Sequence, residues 1–218
     1  TGPGGGVLQS SASDATHLVH VVARERATAL QKGRPEFVAY TSVQAHSSVE
    51  KGAHVAGIEH YRGIDVDENL SIDPVALQEA ITADRAAGLT PLIVTSVLGT
   101  TGTAAVDPIA AIAKIAKDEG LWHHVDAAYG GSAMICPELR YLQEGAELAD
   151  SYTFNPHKWM FTNFDCNVLW VSDRTSLIDA MSITPPYLKN EASDSGEVID
   201  YRNWQVPLGR RFRALKLW

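Results

Sequence analysis

Cysteine and methionine are scarce in this sequence: two of the former, Cys136 and Cys166, and three of the latter, the first at Met134. Two cysteines with no C-x-x-C spacing make neither a disulfide framework nor a thiolate metal cage. They suit a reducing compartment, and both read as small buried apolar side chains. Lysine and arginine form no run and the net charge is −8, which argues against nucleic acid or an anionic membrane as partner. No apolar stretch is long enough to span a bilayer and no signal peptide opens the chain, so a cytoplasmic protein is expected. The remainder is ordinary for a globular chain, with 45% hydrophobic and 20% charged residues over 218 positions. Such a length is one domain's worth and buries about 70% of the surface exposed when unfolded. It begins in a glycine-rich stretch without a methionine and stops at Trp218 within a helical pattern, so it reads as a fragment.

Strand and helix patterns alternate along the chain. A glycine-rich loop over 1–6 and the small polar run Ser10-Ser11-Ala12-Ser13 lead into a helix over 14–31, with Leu18, Val19, Val22, Ala23 and Leu30 on its apolar side and Gly33 after it. A turn of this kind at a helix start is an anion site by construction, because the first amides lack intrahelical partners. A plain helix cap is the alternative. The dinucleotide pattern fails because Val7 stands where its third glycine belongs, and the P-loop fails for want of glycine-lysine-serine/threonine. Strands are expected over 37–41 and 58–62, helices after Ser47 and Ser48 and over 73–87. The near-continuous apolar run 92–98 is typical of a central parallel strand and ends at Gly99-Thr100-Thr101-Gly102. A helix from Asp107-Pro108 to Glu119, closed by Gly120, leads to a strand over 122–126. Strand, helix and strand in that order make a βαβ unit, hence an α/β fold with a parallel sheet. Further on come a strand over 166–171, a helix over 174–181, a polar segment over 190–196 with the composition of a mobile loop, and a basic helix beginning within 207–218.

Two stretches carry chemistry. Ser151-Tyr152-Thr153-Phe154 runs as a strand into Asn155-Pro156, where proline removes a ladder donor and stops it. Lys158 follows between an imidazole and an indole. Partial desolvation there would lower its pKa and make it a Schiff-base nucleophile, whereas the ordinary reading is a surface lysine at a turn. In Trp122-His123-His124-Val125-Asp126, period two sets Trp122, His124 and Asp126 on one face. Asp126 ends the run just before Gly130-Gly131, where a flat ligand could approach the backbone. Ligands of open parallel sheets sit at the carboxyl ends of strands, and Thr101, Asp126 and the Lys158 turn all fall there. A lysine and an aspartate so placed are what pyridoxal phosphate requires, the first for the Schiff base and the second for the pyridinium nitrogen.

N-P-H-K at 155–158 and H-V-D-A-A-Y at 124–129 resemble the pyridoxal-phosphate-dependent group II amino-acid decarboxylases, most of all those acting on aromatic L-amino acids. The resemblance extends over the whole chain, through G-G-G-V-x-Q-x-S-A-S at 4–13, Q-A-H-S-S-V-E-K at 44–51 and P-L-G-R-R-F-R-x-L-K-x-W at 207–218. It implies an aspartate-aminotransferase-type large domain over 1–218, lacking an N-terminal segment and a small C-terminal domain, and a homodimer when full length. It further implies that Lys158 carries the cofactor, that Asp126 pairs with its ring nitrogen, and that Ala12 and Ser13 contact its phosphate. His46 would stack on the ring and orient the substrate, and Ala128 would cover the other face. Asn155 and His157 would flank the phosphate end and the lysine turn. Tyr187, in P-x-Y-L-K, would protonate the α-carbon, and Gly209 would leave room for a bulky aromatic substrate. The implied products are the amine and carbon dioxide. An aromatic aldehyde synthase carries phenylalanine at that tyrosine, and a decarboxylase for another amino acid such as histidine is the other alternative.

Rival chemistries are weakly supported. His124 and Asp126 could donate two metal ligands, but no third has recognisable spacing, and His17 and His20 read as residues of an ordinary helix. No metal is therefore expected. A serine hydrolase lacks its elbow, because Gly130-Gly131-Ser132-Ala133-Met134 misses the second glycine. A noncatalytic scaffold on the same fold would be expected to have lost Lys158, Asp126 or Tyr187.

Overall fold

The computed structural model describes residues 4–31, 33–183 and 198–218. Tyr187 and the segment 190–196 lie outside the described residues. Seven strands, β1 (Gly5–Gln9), β2 (Phe37–Ser42), β3 (His60–Ile64), β4 (Thr90–Val97), β5 (Trp122–Asp126), β6 (Ser151–Phe154) and β7 (Asn167–Val171), form one sheet in the order β1-β7-β6-β5-β4-β2-β3. From β3 to β6 every neighbouring pair is parallel. β7 runs antiparallel to β6, and β1 antiparallel to β7. The parallel part follows from the alternation of strands with helices α1 (Ala12–Leu30), α2 (Ser48–Val55), α3 (Pro74–Ala86) and α4 (Ile109–Glu119). Two short helices, α5 (Arg174–Met181) and α6 (Ala214–Leu217), complete the set.

The helices stop and start where their chemistry dictates. Ser11 caps α1 by accepting from the Asp14 amide at 3.1 Å, and Asp73 caps α3 by accepting from the Val75 amide at 2.8 Å with Pro74 next to it. Gly120 closes α4 at φ 69°, the left-handed position that glycine occupies without strain. Helix α1 covers one face of the sheet, where its Leu18, Val19 and Val22 pack on Ile93, Trp122 and Leu169. On the opposite face Ile81 and Ile112 of α3 and α4 meet Val38, Tyr40 and Val94. Burial on both faces explains the apolar runs read in β2 and β4.

Four readings need correction. The glycines at 4–6 are not in a loop: Gly5 and Gly6 belong to the edge strand β1, and a Cβ on Gly5 would meet the Trp204 ring at 2.4 Å. Glycine is needed there because an indole lies flat on the strand. The third strand starts at His60 rather than Ile58, since the turn at Gly57 returns Ile58 to the core beneath α1. Only Ala214–Leu217 of the C-terminal basic segment is helical, and its arginines are not all solvated. Arg213 is buried and donates to both Asp165 oxygens, at 3.0 and 3.4 Å. Finally, Cys166 is buried as expected whereas Cys136, between two 3-10 turns, is exposed.

Candidate active site

A cavity of ≈ 200 Å³ opens at the carboxyl ends of the parallel strands. Its lining includes Ala12, Ser13, His46, Thr101, Asp126, Ala128, Asn155, His157 and Lys158. All nine cofactor contacts expected from the sequence therefore share one space, although they are spread over 147 positions of the chain (158 − 12 + 1). Gly209 lies elsewhere, in a second cavity of ≈ 360 Å³ shared with Gln9, Ser10, Arg210 and Arg213. A wider groove of ≈ 990 Å³ runs past Tyr152, Phe154 and Trp170, but it contains neither Asp126 nor Lys158. The expected site residues other than Gly209 and Tyr187 thus line the smaller, more enclosed space.

Each wall has a local cause. Ser11 turns its side chain back to cap α1, which leaves Ala12 and Ser13 as the first residues of the helix, with amides that have no intrahelical acceptor. That is the anion-binding end of a helix. It is this end, not the glycine run, that faces the cavity. Asp126 is the last residue of β5 and is 4% exposed, with Oδ1 accepting from the Ala128 amide at 2.9 Å. Burial pushes its carboxyl above the ordinary range, while the Ala128 amide, Lys158 and His46 pull in the opposite direction. Burial alone thus disfavours its charge, and a cation brought against it in the cavity would restore that charge. Asn155 is buried, and its Oδ1 accepts from Asn167 Nδ2 at 2.7 Å. Its carbonyl accepts from the Lys158 amide at 3.0 Å, which forms the turn that brings the lysine to the rim.

Both histidines of the site are oriented by backbone donors. The Ser48 amide donates to His46 Nδ1 at 3.1 Å, so the proton of the neutral ring sits on Nε2. The Ser48 hydroxyl lies 2.9 Å from the same nitrogen, and Ser47, at the cap position of α2, makes no side-chain cap bond. Of the two serines that precede the helix pattern, Ser48 thus serves the imidazole. Likewise the Cys166 amide donates to His157 Nδ1 at 2.8 Å, and burial followed by the neighbouring Lys158 lowers the pKa of that ring.

Two further expectations are not met. Lys158 is exposed, not squeezed between rings, because each ring is occupied elsewhere: Trp159 packs on Tyr129 at 4.4 Å and His157 on Phe164 at 4.7 Å. Nor do Gly130 and Gly131 line the cavity. A Cβ on Gly130 would lie 2.4 Å from the Leu98 carbonyl oxygen, so the close approach is to the protein's own backbone. Sequence reasoning also passed over Ser11, Ser48, Val97, Gly99 and Tyr129 as lining residues. Tyr129 could have been found as the last letter of H-V-D-A-A-Y, whereas Val97 shows only once its strand is placed beside β5.

Residues 1–218 match the model of the pyridoxal-dependent decarboxylase conserved domain. The chain belongs to that family. Aromatic-L-amino-acid decarboxylase of Mus musculus is 50% identical over 227 aligned residues, covering 100% of this chain and 47% of the mouse protein. Phenylacetaldehyde synthase of Arabidopsis thaliana is 49% identical, over 100% of this chain and 46% of its own. The crystal structure of Oryza sativa TDC with PLP and tryptamine superposes with a TM-score of 0.95 at 43% identity, covering 100% of this chain and 46% of that one. The chain thus spans about half the length of the curated relatives it matches, and its mostly parallel sheet has the architecture of pyridoxal-dependent decarboxylases.

Proposed function

We propose that residues 1–218 form the cofactor-binding large domain of a pyridoxal-phosphate-dependent carboxy-lyase that converts an aromatic L-amino acid to its amine and carbon dioxide. The observation that carries this reading is the single cavity in which the Lys158 amine, the buried Asp126 carboxylate and the open first turn of α1 meet. Those three groups fit the three handles of pyridoxal phosphate, an aldehyde, a ring nitrogen and a phosphate. Lys158 would hold the aldehyde carbon, Ala12 and Ser13 the phosphate through the helix start, and Asp126 a proton on the ring nitrogen. What the cofactor supplies when bound is an electron sink for the pair left on the α-carbon as carbon dioxide departs. His46, fixed by Ser48, and Ala128 wall the cavity from different elements, with Asn155 and His157 behind the lysine turn and Thr101 at the exposed tip of the loop after β4.

Tyr187 would deliver the proton that replaces carbon dioxide at the α-carbon. Gly209 would favour indole or catechol substrates, since a Cβ there meets nothing within 4 Å and a larger residue would take up open space. The full-length protein would be a cytoplasmic homodimer; among the described residues no helix is long and apolar enough to cross a membrane. A second reading, aromatic aldehyde synthase, is favoured by the 49% identity to the Arabidopsis enzyme and by the Rhodiola rosea 4-hydroxyphenylacetaldehyde synthase structure, which superposes at a TM-score of 0.89. Product analysis of the full-length protein with a panel of aromatic L-amino acids separates them. Amine and carbon dioxide in equal amounts are expected, and Tyr187→Phe is expected to divert product, with uptake of one dioxygen and one water per turnover, to carbon dioxide, aldehyde, ammonia and hydrogen peroxide. Aldehyde from the wild type, or turnover of histidine alone, would overturn the assignment.

A further inference from the structure

Just below the cavity, the face of the sheet covered by α1 stops being apolar. Trp122, His124 and Asp126 of β5 share that face, as do Ile93, Thr95 and Val97 of β4. Thr95 and His124 are cross-strand partners, and α1 packs over both strands with Thr16 and His20 one turn apart. All four side chains are fully buried. Each keeps one polar atom without a partner among the described residues: Thr16 Oγ1, His20 Nε2, Thr95 Oγ1 and His124 Nε2. Native proteins leave few buried polar atoms bare, so four in one layer call for an occupant.

The hydrogen bonds that are made decide what each bare atom offers. His20 Nδ1 lies 2.7 Å from the Thr16 carbonyl oxygen, which only accepts, so the ring carries its proton on Nδ1 and Nε2 is a lone pair. Ser151 Oγ accepts from Trp122 Nε1 at 2.8 Å and lies 2.8 Å from His124 Nδ1. The serine oxygen has a second lone pair for His124 Nδ1–H, and the Ser151 backbone also bonds that ring as an acceptor, so His124 too carries its proton on Nδ1 and its Nε2 is a lone pair. The two rings also stand close enough to act on each other's charge. Burial, then His20 and His123, push His124 down to about 3, and burial pushes His20 to about 4, so both stay neutral. Helix α1 and strand β5 thus each offer an imidazole acceptor, and two threonine hydroxyls bring one donor each.

We propose that one internal water is bound between α1 and the sheet by His20, His124, Thr16 and Thr95. It donates to His20 Nε2 and His124 Nε2 and accepts from the Thr16 and Thr95 hydroxyls, which completes four bonds. Through it, α1, whose first turn walls the cavity at Ala12 and Ser13, is tied to β5, which ends in Asp126.

Thr95→Val in the full-length protein is a test of sign, because it removes the hydroxyl and keeps the shape. With the water bound, Tm falls by a few degrees, and adding Thr16→Val costs less than the sum of the single losses, since both act on one water. In a dry layer the same change replaces a bare hydroxyl with a methyl group, and Tm holds or rises. A neutral or raised Tm, or strict additivity, overturns the proposal. A crystal structure of the full-length wild type, extended by neutron diffraction, decides the matter without any variant. A water oxygen within hydrogen-bond reach of both Nε2 atoms, with the protons of both rings on Nδ1, is expected. Two rings bonded directly to each other, or no ordered water, would refute it.

Discussion

The two faces of the sheet solve different problems. Under α3 and α4 the strands present Val38, Tyr40 and Val94 to Ile81, Ile112 and Ala116, with few deep polar groups: the Tyr40 hydroxyl donates to Asp84 at 2.9 Å, and Ser96 Oγ lies 2.8 Å from His123 Nε2. Under α1 the apolar layer gives way, toward the strand ends, to Thr95, His124, Ser151, Thr153 and Asn167, all buried, and then to Asp126. The first face is closed mainly by apolar contact. The second needs a hydrogen bond for each polar group, which makes it selective about geometry and sensitive to conditions. Both faces carry an apolar core, and only the α1 face adds to it a run of buried polar side chains that leads to Asp126.

Four predictions bear on that contrast. The largest effect is expected from Lys158→Ala, which should lower decarboxylation by the full-length enzyme at least about 10³-fold while changing stability by no more than about 0.5 kcal/mol, because the side chain is exposed. Turnover rates and urea midpoints on the same samples check it, with a borohydride-trapped cofactor on Lys158 expected only in the wild type. A large loss of stability would mean that the lysine serves the fold and not the reaction.

Acid should act next most strongly. His20 and His123 are lowered to about 4 and His124 to about 3, chiefly by burial. Their folded values lie below the unfolded 6.5, so the unfolded chain takes up protons first. The stability they contribute is complete above pH 6.5 and is lost as pH falls toward 4. At about 1.4 kcal/mol per histidine per pH unit, the three together remove about 4 kcal/mol by pH 5.5. Two of the three lie on the α1 side, so His20→Leu should flatten the slope by about a third; an unchanged slope would contradict its burial as a neutral ring.

On the other face Ile112→Ala should cost about 2–5 kcal/mol through the lost methyl groups and the cavity left behind, with KM and product unaltered in the surviving enzyme. A shifted KM would show that the two faces are not separable. The smallest effect is a local one. Gly130→Ala should cost about 1–3 kcal/mol, because its Cβ meets the Leu98 carbonyl oxygen, whereas Gly102→Ala, with nothing within 4 Å, should stay within about 0.5 kcal/mol. Thermal melts of the pair settle it, and equal costs would remove the close approach at Gly130 from the account.

Sequence by itself determined much of the architecture. The alternation of strands and helices, the Asp73-Pro74 start of α3, the Gly120 stop of α4 and the two-residue period that sets His124 beside Asp126 all depend on neighbours a few positions away, and local rules read them. Eight of the nine expected cavity residues were legible because each stands in an unbroken motif, and the ninth, Thr101, because it falls at the end of a parallel strand. Only the tertiary structure decided which glycines serve a ligand and which serve the chain. Trp204 lies 199 positions from Gly5, and Leu98 meets Gly130 across two strands of the sheet. The exposure of Lys158 was decided the same way, by Tyr129 and Phe164 drawing off the rings beside it. So was the buried state of His20, a residue that local pattern assigns to an ordinary helix and that α1 presses onto Thr95 and His124. Burial is a sum over contacts from distant parts of the chain, and it sets the charge state and hydrogen-bonding needs of a polar side chain more strongly than its neighbours in sequence do.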